Sequence, residues 1–150
     1  MFATRGGRAR LALPLAILAL AGLGVAAYLT IEKLSGRTGA CIVGSGCDVV
    51  NSSPYAVVLG IPVAAFGVAW SAAALVAALA WWRTGARFWL LALYAGGLIG
   101  VIFEAYLVYL ELFVIHAVCS WCVIYGLTVV LGWLLAIVGV WQTRERVADE

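Results

Sequence analysis

The chain has 150 residues, 66% of them hydrophobic and only 11% charged, with nine basic and seven acidic side chains and a formal net charge of +2. So little polar surface cannot cover a water-soluble globule, and the basic residues form no stripe suited to nucleic acid. The composition places the chain in a lipid bilayer.

The opening stretch MFATRGGRAR carries Arg5, Arg8 and Arg10 and leads into a first apolar run over residues 11–31. A basic region ahead of an apolar run, with GVAA near its end, also fits a cleavable signal peptide. The run is longer than most signal cores, and losing it would leave an odd number of spans, so a retained helix is expected. Next comes a loop over about 32–56, containing the small polar island CIVGSGCDVVNSS (41–53). Further apolar runs over about 57–82, 88–113 and 119–141 complete the chain. Each is long enough to span, since about twenty apolar residues cross the hydrocarbon core. None alternates polar with apolar, so each is a helix, the element that satisfies its own backbone in lipid. The expected fold is all-α: one membrane domain over 1–150, a four-helix bundle with an outward-facing loop between the first two spans.

Orientation follows from the arginines. Arg5, Arg8 and Arg10 precede the first span, Arg83 and Arg87 fill the turn between the second and third, and Arg144 and Arg146 follow the fourth. Seven of the nine basic residues thus share one side, which the positive-inside rule makes cytoplasmic. The other two, Lys33 and Arg37, share the first connection with Glu32 and Asp48, while the connection before the fourth span has Glu111 and His116 and no Lys or Arg. Both connections are expected to face outward, with both termini inside and the chain in the cell inner (plasma) membrane.

The chain has four cysteines, Cys41, Cys47, Cys119 and Cys122. In this topology all four lie on the outer side, in a compartment where disulfides form and persist. Cys119 and Cys122 form a Cys-x-x-Cys at a helix start, where sulfurs one turn apart can bridge and the helix N-terminus favours thiolate. That is redox geometry. Two other readings compete. Four cysteines could hold zinc, but ligand pairs usually stand two to four residues apart, and five separate Cys41 from Cys47. Two inert bridges could staple loops to a bundle, yet a bridge within Cys-Ser-Trp-Cys constrains an unfolded chain very little. A non-catalytic scaffold or metal carrier is therefore the alternative to an enzyme.

The segments CDVVNSSPYAVVLGIPVAAFGVAW (47–70) and YLVYLELFVIHAVCSWC (106–122), with the four-span layout, resemble the vitamin K epoxide reductase family in its bacterial branch. The resemblance covers about residues 12–141. It implies a membrane thiol oxidoreductase that passes electrons from a secreted thioredoxin-fold disulfide oxidase to a membrane quinone of the menaquinone, ubiquinone or phylloquinone type. It further implies that Cys119 and Cys122 are the active-site pair beside the quinone and that Cys41 and Cys47 are a shuttle pair on the loop. Some relatives carry a fused thioredoxin-like domain. This chain ends nine residues after the fourth span, so a separate partner is expected.

Other residues carry two readings each. Asn51, Ser52 and Ser53 either cap the next helix or, as the resemblance implies, offer polar contacts to the quinone, Asn51 and Ser53 above all. Tyr125, one turn past Cys122, is a candidate donor to a quinone carbonyl. Glu104 is an ionisable group inside a span and so a functional candidate by default; an inward-facing structural glutamate is the rival reading. His116 either takes protons during exchange or is a solvated residue at a helix end. Trp81, Trp82, Trp89 and Trp141 read as an interfacial belt, and Trp121 as shaping the pocket. AGGLIG (95–100) reads as a place for close helix packing.

Overall fold

The computed structural model describes residues 5–37 and 41–149. Four helices are long and apolar enough to cross a membrane. Helix α1 (Arg5–Ser35) is the longest at 31 residues. At 1.5 Å per residue it measures about 46 Å, well beyond the roughly 30 Å hydrocarbon core. Its last turns support the segment that follows, Lys33 bonding the Asn51 carbonyl. There a short helix α2 (Gly46–Ser52) and a single 3-10 turn (Pro54–Ala56) replace an open loop.

The second span starts later than its apolar run. Residues 57–62 form a small antiparallel hairpin, β1 (Val57–Val58) and β2 (Ile61–Pro62), with Val58 paired to Ile61. Its two turn residues, Leu59 and Gly60, both have positive φ, 53° and 80°. That is the combination a two-residue turn needs to match strand twist. Pro62 then holds Ile61 extended and lacks an N–H, so the helix begins only after it. Helix α3 (Val63–Thr84) ends at Gly85, whose left-handed conformation (φ 70°) lets its N–H bond the Trp81 carbonyl. Gly85 and Ala86 alone connect it to α4 (Arg87–Tyr109). α4 widens into a π-helical segment, Leu110–Ile115, and after a short connection α5 (Ser120–Ala148) completes the bundle.

Around the bundle the order is α1, α3, α4, α5, each packing on two neighbours. α1 against α3 is the most extensive interface and α3 against α4 the sparsest. The dense core occupies the end where the chain starts: Leu15, Ala78, Trp81, Leu90, Leu93 and Ala136 interlock there. Trp81 is thus a core residue, whereas Trp82 and Trp141 are exposed as belt residues should be. The glycines of AGGLIG do not bring two backbones together. A methyl on Gly96 would strike the ring of Trp70, and one on Gly97 the ring of Trp133. These glycines receive indoles, which fill the sparse side of the bundle.

Candidate functional site

Alternating spans put the two ends of the bundle to different uses. At one end the Arg8 guanidinium lies against Gly85 in the α3–α4 turn, near Arg83 and Arg87. At the other end lie all four cysteines, the tail of α1, α2, the hairpin and the start of α5.

Cys41 and Cys47 are joined in a disulfide, with Cα atoms 5.5 Å apart. The bridge sits on the first residue of α5. The Ser120 Oγ is 3.2 Å from Cys41 Sγ and 3.6 Å from Cys47 Sγ, and it accepts the Ile42 N–H at 3.2 Å. Gly46 closes the contact from the other side, because a side chain there would run into the Val118 carbonyl. Val118 and Ser120 flank Cys119, so the bridge is seated over that residue. Within the bridge the two sulfurs are unequal: Cys47 is 4% exposed, while Cys41 is only half-buried.

Cys119 and Cys122 are both free thiols. Cys119 is the N-cap of α5 and its sulfur accepts the Cys122 N–H at 3.3 Å. The hydrogen bond from the Cys122 thiol holds Cys119 below the usual thiol range, reinforced by backbone N–H groups and opposed by burial. At 1% exposure Cys119 is among the most enclosed side chains in the protein.

Both thiols line a cavity of about 280 Å³ enclosed by α1, α3, α4 and α5 under the hairpin. Its walls are mostly apolar, and Asn51, Ser53, Tyr125, Glu104 and Glu111 reach it as well. The polar candidates are unequally free. The Ser53 hydroxyl donates to the Val50 carbonyl at 2.7 Å; Ser53 is both the C-cap of α2 and the N-cap of the 3-10 turn, but its side chain bonds back into α2 and does not cap that turn. Ser52, exposed, bonds back to Asp48 in the same way. The Tyr125 hydroxyl donates to the Gly67 carbonyl at 3.2 Å and lies 3.5 Å from Ser71 Oγ, tying α5 to α3. Asn51 has its backbone carbonyl engaged by Lys33 Nζ, while its side-chain amide bonds no other described residue. An apolar cavity with few converging polar groups is the usual form of a small-molecule site.

Two residues of the site escape the sequence reading. Ser120 is the unremarked second residue of Cys-Ser-Trp-Cys. Glu111, expected in an outward connection, is 5% exposed and faces the cavity. Its Oε2 accepts the Cys119 N–H at 3.4 Å, and it lines the same cavity as the Cys122 thiol. A signal was available: Glu111 interrupts the apolar run LVYLELFVI, the same logic that singled out Glu104. His116 is exposed and left-handed (φ 55°), and ends the π-helical segment. Trp121 points away from the cavity residues and packs on Tyr28 of α1, with ring centroids 5.1 Å apart.

Among known families, the one described as the Vitamin K epoxide reductase family has a model that matches residues 13–137, from the first span to the last. The match includes all four cysteines and every residue that lines the cavity.

Proposed function

The chain belongs to the vitamin K epoxide reductase family, and from that premise we propose that it carries electron pairs from a separate, secreted thioredoxin-fold oxidase to a membrane quinone, sustaining disulfide formation outside the cytoplasm. Family membership and four apolar helices make it a membrane thiol-disulfide oxidoreductase of the quinone-linked kind. The finer reading rests on one observation: the loop disulfide sits on Ser120, next to Cys119, while the helix pair is reduced. That distribution is the state expected once the loop has passed its electrons inward.

The relay follows from exposure. A partner thiolate meets Cys41, the more open sulfur, and forms a mixed disulfide with it, releasing Cys47 as thiolate. Cys47, already seated beside the helix, attacks Cys119 of an oxidised Cys119–Cys122 pair and releases Cys122. The partner's second thiolate then frees Cys41, which attacks Cys47. The loop bridge is remade, and Cys119 and Cys122 are left reduced. The residues present suit a quinone: apolar walls, the indole of Trp70 set against Gly96 and Gly100, and the uncommitted Asn51 amide. A bound quinone supplies the acceptor for two electrons and two protons. In this reading Asn51 orients it, with Ser53 and Tyr125 completing the rim, and Cys122 stands at the reacting edge. The arginine-rich end faces the cytoplasm.

The test uses two electron donors. Cys41→Ala and Cys47→Ala should abolish quinol formation driven by the thioredoxin-fold partner, while dithiothreitol, small enough to reach the helix pair once the bridge is gone, still drives it. Cys119→Ala and Cys122→Ala should abolish both. Equal loss in both assays for the loop variants would mark the loop bridge as a structural staple and end the shuttle assignment.

A further inference from the structure

The electron route above leaves the protons unassigned. An electron pair leaving the helix thiols for a quinone must be accompanied by protons, and the end of the cavity nearest the thiols contains one acid placed for that transfer.

Glu111 owes its position to a local departure from α-helix. The π-helical segment Leu110–Ile115 widens the last turn of the α4 span, and such insertions recur at functional sites. The turn closes on Glu111 itself, whose carbonyl accepts the His116 N–H and, at 3.0 Å, the Ala117 N–H. With its backbone so anchored, the side chain turns inward to the start of α5. There it accepts the Cys119 N–H and lies on the cavity wall that the Cys122 thiol also lines. The Cys119 sulfur accepts the Cys122 N–H at 3.3 Å, so the carboxylate and both sulfurs share one helical turn on the cavity wall. The remaining ionisable groups of the cavity are Glu104 on the same helix, Tyr125 on α5, Lys33 on α1 and Tyr55 in the 3-10 turn. Lys33 directs its ammonium to the Asn51 carbonyl, and Tyr125 directs its hydroxyl to α3. A carboxylate buried at this depth is costly unless it is used or fully bonded, and the one hydrogen-bond partner of its side chain among the described residues, the Cys119 N–H, belongs to the redox motif.

Resting on the relay above, we propose that Glu111 is the proton-transfer residue of the helix pair: its carboxylate takes the Cys122 proton as the Cys119–Cys122 bond forms and returns it to the quinone oxygen. The balance closes. Cys119 enters as thiolate and Cys122 as thiol, and one S–S bond forms as one S–H bond breaks. Two electrons pass to the quinone, which gains one proton through Glu111 and one from water and leaves as quinol. The same carboxylate, as a negative charge beside the pair, limits how far the Cys119 sulfur is held as thiolate.

This dual role gives Glu111→Gln opposite effects in two assays, which a residue that merely caps α5 would not show. Glutamine retains an oxygen for the Cys119 N–H but takes up no proton. In detergent-purified, quinone-free protein with the helix pair reduced, iodoacetamide at fixed pH should alkylate Cys119 and Cys122 of the Gln variant faster than wild type, by about threefold or more. Quinol formation from decylubiquinone with dithiothreitol should fall about 100-fold, the lower range for losing a positioned acid or base. Glu111→Asp should recover most of that loss. Slower alkylation in Glu111→Gln together with slower turnover would make Glu111 a structural cap and overturn the proposal, as would quinol formation within threefold of wild type. If wild-type protein itself forms no quinol above the protein-free rate, the relay reading fails, and the alkylation arm still reports on Glu111 alone.

Discussion

The docking of the loop bridge on Ser120 can be measured directly. Ser120→Ala removes three contacts: the Ile42 N–H bond and the approaches of the hydroxyl to Cys41 and Cys47 sulfur. A neutral hydrogen bond of this kind contributes about 1 kcal/mol. With sulfur contacts weaker than that, the total comes to about 1–2 kcal/mol, which lowers the ratio of seated to lifted loop by roughly 5–30-fold. Cys119 is the reporter, because it is enclosed and flanked by the two residues on which the loop is seated. When the seated form dominates, a small uncharged alkylating reagent reaches Cys119 only through the lifted minority, so its rate scales with that minority. Peptide mass spectrometry on protein with the loop oxidised and the helix pair reduced should therefore show Cys119 alkylated about 5–30-fold faster in Ser120→Ala, with Cys122 at its wild-type rate. Cys122, half-buried and lining the cavity, is the internal control. An unchanged Cys119 rate refutes the docking role of the hydroxyl. A parallel rise at Cys122 refutes it equally, since that would be general loosening of the helix start.

Gly46→Ala should prevent seating altogether, because the added methyl meets the Val118 carbonyl; partner-driven quinol formation should fall at least tenfold, and a wild-type rate would show that the loop acts without touching α5. His116→Gly should leave quinol formation within twofold and the thermal midpoint unchanged or higher, whereas His116→Val, forced into the same left-handed backbone at a cost of roughly 1–2 kcal/mol, should lower the midpoint; a large loss of turnover with glycine would return the imidazole to the chemistry. For orientation, a membrane-impermeant maleimide added to intact cells should label Cys41 after mild reduction, and labelling confined to inverted vesicles would reverse the topology.

The parts legible in sequence were those that a long average reveals. Spans announce themselves because every apolar residue in a run of twenty adds to the same signal, and the cysteines because the chain contains so few. Shorter features depend on tertiary placement. The stretch VVLGIP reads as the apolar start of a span, yet Gly60 and Pro62 turn it into a hairpin whose tip, Leu59, is 96% exposed. Hydropathy is blind to this; the turn chemistry of Leu-Gly followed by Pro was visible but outweighed. Ser120 and Glu111 escaped for another reason. A serine next to a cysteine and an acid near a span end are ordinary residues, and only the seated loop and the π-helical turn bring them onto the sulfurs. Tyr125 lies one turn past Cys122 and lines the cavity, but the bond of its hydroxyl to the Gly67 carbonyl, 58 positions away, is a tertiary contact that the sequence does not announce.

The two halves of the bundle divide stability from chemistry along the helix axis. The interlocked residues from Leu15 to Ala136 fix the four helices at the arginine-rich end, where close packing yields little to perturbation. Freed from holding the bundle together, the other half keeps a cavity between sparse α3 and α4 faces and covers it with the hairpin and α2. The start of α5 lies on the boundary between that cavity and the outer loop. One helical turn there meets both: Cys119 is flanked by the residues that seat the loop bridge and also lines the cavity beside Glu111, and Cys122, three residues on, lines the cavity as well. In the proposed relay a dithiol spaced this way takes electrons from the loop bridge at Cys119 and hands them on from Cys122, while its intervening serine faces the loop and its tryptophan packs on α1.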